Sequence, residues 1–330
     1  MMQRISTAGM SRKDWLEERR KSLGGSDMGA VLGMNRFSSP FSVWCDKTGR
    51  IPDKEENEAM RQGRDFEDYV ASRFTERTGK KVRRLNAILR NDRFPHLHAN
   101  IDRAVVGEES GLECKTASAL SARRFSGGEF PESYYCQCVA YLAVTGWKRW
   151  YLAALVLGKG LHIYQMTTVP DDTVPEWCES SIYISPEEIV ALTEAAERFW
   201  SEYVTRDAPP PVDGLPATTE ALETIYREDS GEQVQLLGRE ALLQEYFELK
   251  ESMDRLSASM EEIRQTIMAD MGEAANGACK GFSVTWKRQI RTTFDHKRYA
   301  KDHPNEDLTA YYKTSVSRPF KIKKEEENEL

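Results

Sequence analysis

Asp102 and the run Gly111-Leu112-Glu113-Cys114-Lys115 hold the residue types that metal-assisted cleavage of a phosphodiester requires. Two hard carboxylates, Asp102 and Glu113, can hold Mg2+, which takes oxygen ligands and keeps several of its waters. The peptide carbonyl of Cys114 is a further oxygen. Lys115 lies two residues after Glu113, so on a strand both side chains share one face. There an ammonium orients the attacking water and stabilises charge developing at phosphorus, while the metal acidifies that water and neutralises the scissile phosphate. Taken alone, an Asp-x10-Glu-x-Lys spacing is more often a salt-bridged pair of surface strands.

Neighbouring residues strengthen the chemical reading. Glu67, in Gly63-Arg64-Asp65-Phe66-Glu67, lies on a helix that precedes the strands and can reach the same metal; the alternative is an exposed glutamate paired with Arg61 or Arg64. Gln137 lies on a helix that follows them, with Tyr141 one turn on; the alternative is an ordinary polar helix face. Upstream, the glycine turn Gly24-Gly25-Ser26-Asp27 opens a helix, an arrangement whose free backbone N–H groups suit a phosphate. His96 and His98 alternate on a strand but lack a third ligand, so they are expected to be packing or solvated side chains.

The elements that must position these groups follow from periodicity and caps. Ser11 caps a helix over 12–20, and shorter helices are expected at 28–33 and 41–48. Phe66, Val70, Ala71 and Phe74 stripe a helix over 58–79, which Gly79 ends. Strands are expected at 82–89, 98–106 and 111–116, a helix at 132–144, and strands at 149–157 and 161–167, all on one mixed sheet. The resulting class is α/β. A helix over 186–205 stops before Pro209-Pro210-Pro211, a stiff linker. The domain expectation is therefore a catalytic domain over 1–207, a linker over 208–235, a long helix over 236–272 and a basic module over 273–330. Residues 215–232 are polar and are expected to be partly disordered.

In the long helix Leu242, Tyr246, Leu249, Met253, Leu256, Met260, Ile263 and Ile267 alternate at intervals of four and three, a heptad seam. A coiled coil and an amphipathic helix lying on its own domain both fit it. Beyond Gly281, the aromatics Trp286, Phe294, Tyr299, Tyr311, Tyr312 and Phe320 interleave with Lys287, Arg288, Arg291, Lys297, Arg298, Lys313 and Arg318. That mixture suits nucleic acid, with cations for phosphates and rings for bases, and also suits any small basic β-module. The run Glu325–Glu329 reads as a solvated tail.

Charge is unevenly spread. The net charge is −7, yet residues 1–165 hold 27 Lys and Arg against 20 Asp and Glu. Residues 166–279 hold 7 against 25, and residues 280–330 hold 12 against 8. Local field rather than total charge decides where a polyanion settles. The six cysteines include no CxxC pair, so free thiols are expected rather than a zinc ribbon or iron–sulfur cluster. No stretch is long and apolar enough for a membrane span, and the first ten residues lack an apolar signal core, so a cytoplasmic protein is expected.

In this order of elements the chain resembles the YqaJ-type phage recombinases, the lambda exonuclease family within the PD-(D/E)xK nuclease superfamily. The resemblance covers about residues 11–165. It rests on Trp15-x3-Arg19-x6-Ser26, Gly63-x3-Glu67, Asp102, Glu113-x-Lys115 and Gln137-x3-Tyr141. It implies a restriction-endonuclease-like core and a Mg2+-dependent 5′→3′ exonuclease, with Mn2+ as a substitute. The substrate would be linear double-stranded DNA, and the product a 3′ single strand for an annealing protein in phage or prophage recombination. Asp102, Glu113, the Cys114 carbonyl and Glu67 would hold metal, and Lys115 and Gln137 would position the water. Arg19 and Ser26 would anchor the 5′ phosphate, with Asn100 and Tyr141 among the DNA contacts. Asn100 stands where the family has a hydroxyl. A homo-oligomer, a trimeric ring, is implied, although residues 215–330 have no counterpart in lambda exonuclease. Two rivals stay open: an endonuclease of the same fold, and a non-catalytic DNA-binding scaffold.

Overall fold

A computed structural model describes residues 1–323 apart from 54–55, 171–172, 305 and 314–316. Lys324 and the Glu325–Glu329 run lie outside the described residues. The chain divides into two compact units, Met1–Arg227 and Glu228–Leu330.

The first unit begins with β1 (Met2–Ser6), α1 (Arg12–Arg20), β2 (Leu23–Gly24), α2 (Gly25–Val31) and α3 (Pro40–Lys47). The long α4 (Glu58–Thr78) leads into β3 (Val82–Arg84), β4 (Ala87–Asn91), β5 (Phe94–Asn100), β6 (Arg103–Val105) and β7 (Ser110–Ala117). Next come α5 (Glu132–Thr145), β8 (Arg149–Val156), β9 (Gly160–Thr167), β10 (Ser180–Tyr183), α6 (Pro186–Phe199) and α7 (Pro216–Ile225). Ser11, Ser39, Asn57 and Ser185 each accept a backbone N–H at a helix start, and Gly79 and Gly146 end α4 and α5 with left-handed φ.

The strands form two sheets rather than the single one expected. One has the order β1-β4-β5-β2, the other β10-β9-β8-β7-β6-β3. The expected strand over 98–106 breaks at Ile101 and Asp102, and the chain crosses there from the first sheet to the second. The cause is local. The Asp102 carboxylate accepts the Cys114 N–H at 2.8 Å, in the place a ladder carbonyl would take. The strand over 82–89 breaks likewise, at Leu85 and Asn86.

The six-stranded sheet is mixed, with β7–β8 and β9–β10 parallel and the other pairs antiparallel. It is covered on both faces. On one, Val70, Ala71 and Phe74 of α4 pack on Val105, Leu112, Tyr151 and Ala153. On the other, Val139 and Leu142 of α5 join a core with Trp150, Leu152, Ala154 and Tyr164. Burial on both sides explains why 149–157 is nearly continuously apolar rather than alternating.

Residues 208–235 are not simply a linker. Within them α7 buries Ala217, Thr218 and Ala221 and packs on α3, with Thr218 Oγ1 2.7 Å from Ser39 Oγ. Two alanines four apart supply that stripe, too small a signal to stand out among polar neighbours. The first unit therefore runs to Arg227 and not to residue 207. The helix expected over 186–205 is α6, closed by a π-helical turn at Trp200–Val204.

The second unit holds α8 (Glu240–Met271), a hairpin of β11 (Asn276–Cys279) and β12 (Phe282–Thr285), and α9 (His296–Asp302). No residue of α8 is buried. Among the described residues no helix is long and apolar enough to cross a membrane.

Candidate active site

Leu112 packs under α4, so its strand neighbours Glu113 and Lys115 point to the opposite face, toward α5. Lys115 Nζ lies 2.6 Å from Glu113 Oε1 and donates to Gln137 Oε1 at 2.9 Å. Gln137 Nε2 donates to Glu113 Oε1 at 2.6 Å and to Tyr141 Oη at 2.8 Å. The two ends of one amide thus hold the lysine, the glutamate and the tyrosine, which fixes its orientation. Glu113 Oε1 takes two donors, whereas Oε2 is buried with no hydrogen-bond partner among the described residues.

Asp102 faces this group from the crossover between the sheets. Burial, then Glu113 and Glu67, push its carboxyl well above the usual range, against Lys115 and the Cys114 N–H. Burial disfavours the Lys115 ammonium, but Glu113 and Asp102 outweigh it and hold the lysine charged, above the usual range. Such a set is one cation short of balance. The residues therefore fit a divalent ion: the orphaned Glu113 Oε2 and Asp102 are hard oxygen donors. The N–H and carbonyl of a strand residue lie on one edge, so the Cys114 carbonyl faces the Asp102 side, beyond the last β6–β7 pair, Arg103 with Leu112. Among the described residues no three His, Cys, Asp or Glu side chains already cluster around a common ion position. A partial protein shell of this kind is usual for Mg2+, whose remaining positions go to water and substrate phosphate.

Glu67 is placed near this set, close enough to act on the Asp102 carboxyl. It pairs with Arg103, not with Arg61 or Arg64. Arg103 is 4% exposed and also donates to the Asp102 carbonyl at 2.7 Å and to Asp68 at 2.6 Å. It ties α4 to the crossover, and the sequence reading missed it. Its signal was a lone cation inside an apolar run beside Asp102. Asn100 ends β5 and lines a small cavity of about 220 Å3 with Glu67, Asp102 and Arg103.

Tyr141 is not a DNA contact. It is 3% exposed, with its ring 5.0 Å from that of Trp150. A tyrosine inside the α5 core can only orient Gln137. It also lies against α2: a Cβ on Gly25 would fall 2.5 Å from Tyr141 Cε1, and one on Gly29 2.8 Å from Ser133 Cβ. Two glycines one helical turn apart let α2 approach α5 this closely.

Arg19 and Ser26 do meet, Arg19 Nη2 donating to Ser26 Oγ at 3.4 Å, with the guanidinium 4.7 Å over the Trp15 ring. The N–H groups of the glycine turn are not all free, because Asp27 Oδ2 accepts that of Gly24 at 2.8 Å. Asp27 also pairs with buried Lys47 at 2.7 Å. Burial opposes the Asp27 carboxylate, but Lys47 and Arg19 hold it down at about 2. Arg19 and Trp15 line a cleft of about 1050 Å3. Thr7, Trp15 and Arg64 line both this cleft and the small cavity at Asp102, so the two adjoin.

The histidines are packing residues. His96 stacks on Trp200, and His98 is fully buried with Nδ1 2.9 Å from Ser22 Oγ. Burial, then Lys47, push the His98 imidazole down to about 3. In the unfolded chain it takes a proton near 6.5, so the unfolded state binds the extra proton. Stability is thus lost as pH falls from about 6.5 toward 3, by on the order of 1.4 kcal/mol per pH unit. Thermal melts between pH 7 and pH 5 should lose most of this slope in His98→Gln; an unchanged slope would assign it to other groups.

Residues 14–148 match the YqaJ-like viral recombinase domain. The YqaJ protein of Bacillus subtilis (strain 168) is 35% identical over 301 residues, spanning 90% of this chain and 89% of its own. Among solved structures, an alkaline exonuclease (LHK-Exo) from Laribacter hongkongensis is 18% identical at a TM-score of 0.45, over 59% of this chain and 97% of that one. The same exonuclease in complex with dAMP is 16% identical at 0.46, over 59% of this chain and 93% of that one. By its identity to YqaJ across nine-tenths of its length, the chain belongs to the YqaJ-like viral recombinase family.

Proposed function

We propose that this chain is a divalent-metal-dependent exonuclease that digests linear double-stranded DNA from a phosphorylated 5′ end. The observation that carries this reading is the adjacency of two sites. The cleft lined by Trp15 and Arg19, whose guanidinium also reaches Ser26, suits a terminal phosphate, and it adjoins the small cavity at Asp102 across Thr7, Trp15 and Arg64. An anchor for an end, beside a group that cleaves, favours removal of nucleotides from that end over internal scission.

Asp102, Glu113 and the Cys114 carbonyl would hold Mg2+, or Mn2+ in its place, with Glu67 assisting from its ion pair with Arg103. When bound, the ion neutralises the scissile phosphate and acidifies a water. Lys115 orients that water and donates to the developing charge at phosphorus. Gln137 fixes the ammonium, and Tyr141 fixes Gln137. Arg19, stacked on Trp15, binds the terminal phosphate through charge-assisted hydrogen bonds, with Ser26 as a second donor. The remaining strand, with a 3′ end, would pass to an annealing protein, in the bacterial cytoplasm and in the service of phage recombination. The basic, aromatic segment beyond Gly281 offers a second DNA contact: Trp286, Phe294, Tyr312 and Phe320 are all exposed there.

The deciding test compares linear DNA labelled at its 5′ or 3′ end with a covalently closed circle. Loss of linear DNA from the 5′ end with the circle intact is expected; cutting of the circle would favour an endonuclease. Arg19→Ala should cut the preference for 5′-phosphorylated over 5′-hydroxyl ends about tenfold, the loss of one charge-assisted bond. An unchanged preference would remove the anchor role.

A further inference from the structure

We infer that Lys47 is a positioning residue of the phosphate anchor: by occupying the Asp27 carboxylate, it leaves the Arg19 guanidinium open to an incoming phosphate. The role rests on the anchor reading proposed above. It adds to that anchor a side chain too deeply buried to meet DNA, since Lys47 is 1% exposed.

The cleft holds a conflict of charge that needs such a residue. Asp27 directly follows Ser26, stands in the first turn of α2 and lines the same cleft as Arg19. A carboxylate there repels a phosphate and competes with it for the guanidinium. Yet Arg19 is uncommitted. Its neighbour Arg20 pairs with Asp46 and Asp53, and Arg64, on the same cleft, pairs with Glu56. Among the described residues Arg19 forms no ion pair. It donates to the Ser26 hydroxyl at 3.4 Å, and its Nε is buried without a hydrogen-bond partner. So long a bond to a neutral hydroxyl is readily exchanged for a charge-assisted one.

Lys47 resolves the conflict from below. It is the last residue of α3, and its Nζ lies 2.7 Å from Asp27 Oδ2, the oxygen that also accepts the Gly24 N–H at 2.8 Å. The same Nζ donates to the Arg19 carbonyl at 3.3 Å and lies 3.5 Å from Asp46. One buried ammonium thus holds both the carboxylate that would capture Arg19 and the main chain from which Arg19 springs. Burial opposes the Asp27 charge, and Lys47, ahead of Arg19, sustains it. Lys47 is therefore the main counter-ion and Arg19 the lesser one. Without Lys47 the carboxylate would remain buried and seek the nearest cation, because a buried charge without a partner is costly. That cation is Arg19, drawn away from Ser26 and from the phosphate.

The test compares affinity for short duplexes with 5′-phosphorylated and 5′-hydroxyl ends, by fluorescence anisotropy in EDTA, where neither metal nor cleavage plays a part. The parent should prefer the phosphorylated end about tenfold, and Arg19→Ala should lose that preference. Lys47→Met keeps a stem of similar length without the charge, and should lose the preference equally although Arg19 is present. Adding Asp27→Asn to Lys47→Met should restore it, because the amide keeps an oxygen for the Gly24 N–H and no longer attracts Arg19. A merely structural role would not be rescued by a second substitution. A preference kept in Lys47→Met, or not restored in the double variant, would overturn the role of Lys47 and leave the anchor standing. An equal preference in the parent and in Arg19→Ala would overturn the anchor, and the role of Lys47 with it. The double variant replaces a buried ion pair by neutral groups of similar size, so its preference decides the matter should Lys47→Met alone fail to fold.

Discussion

Lys115→Ala should lower Mg2+-dependent digestion of linear DNA by about a thousandfold, the scale on which a positioned acid–base or electrostatic group acts. Affinity for DNA measured in EDTA should stay close to that of the parent, because one ammonium among many phosphate contacts adds little to binding. Lys115→Arg should not restore the rate. Nζ sits between Glu113 Oε1 and Gln137 Oε1 at 2.6 and 2.9 Å, and a planar guanidinium cannot take that position on the same stem. Lys115 also stands between two buried carboxylates, so the alanine variant should melt lower in EDTA, and rates should be taken well below its melting range. Full activity in the variant would remove Lys115 from the chemistry.

Asp102→Asn should separate the two roles of that carboxylate. Digestion should fall at least as far as in Lys115→Ala, because a hard anionic ligand is lost. Stability should move the other way. The Asp102 carboxylate is buried and repelled by Glu113 and Glu67, which is why it resists ionisation. A neutral amide removes that repulsion and keeps an oxygen for the Cys114 N–H, which Asp102 now accepts at 2.8 Å. In EDTA the variant should gain about 1–2 kcal/mol, a few degrees in melting temperature. The parent should gain stability from millimolar Mg2+ because the ion binds only the folded state, and the variant should lose that gain. An equal Mg2+ effect in both proteins would exclude Asp102 as a ligand.

The sequence made the centre of the site legible and left its supports hidden, for physical reasons. Glu113 and Lys115 share a face because alternation on a strand is obligatory, and Gln137 meets them because its helix follows directly. The long helices were readable from their stripes and caps, within a residue or two at α4 and α5. The division into two sheets was not, because it depends on one side-chain hydrogen bond, from Cys114 to Asp102, that competes with the ladder. Arg103 was missed because its partners, Glu67 and Asp68, lie 36 and 35 positions away in the chain. The same limit misassigned Tyr141: helical spacing places it one turn from Gln137 but does not say whether that face meets solvent or Trp150. Four strands escaped for want of length or pattern, β10 and β11 being four residues each. β1 is five residues with none buried, and β2 is two residues.

The close approach of Gly25 to Tyr141 works as a gauge. The anchor turn rests on one aromatic ring, the ring's hydroxyl meets Gln137, and Gln137 holds the ammonium of Lys115. That ring therefore sets the spacing between the glycine turn and the Lys115 group, the two parts of the proposed site. A library randomised at position 25 should return glycine alone, since the smallest side chain would wedge the ring aside and detune both ends together.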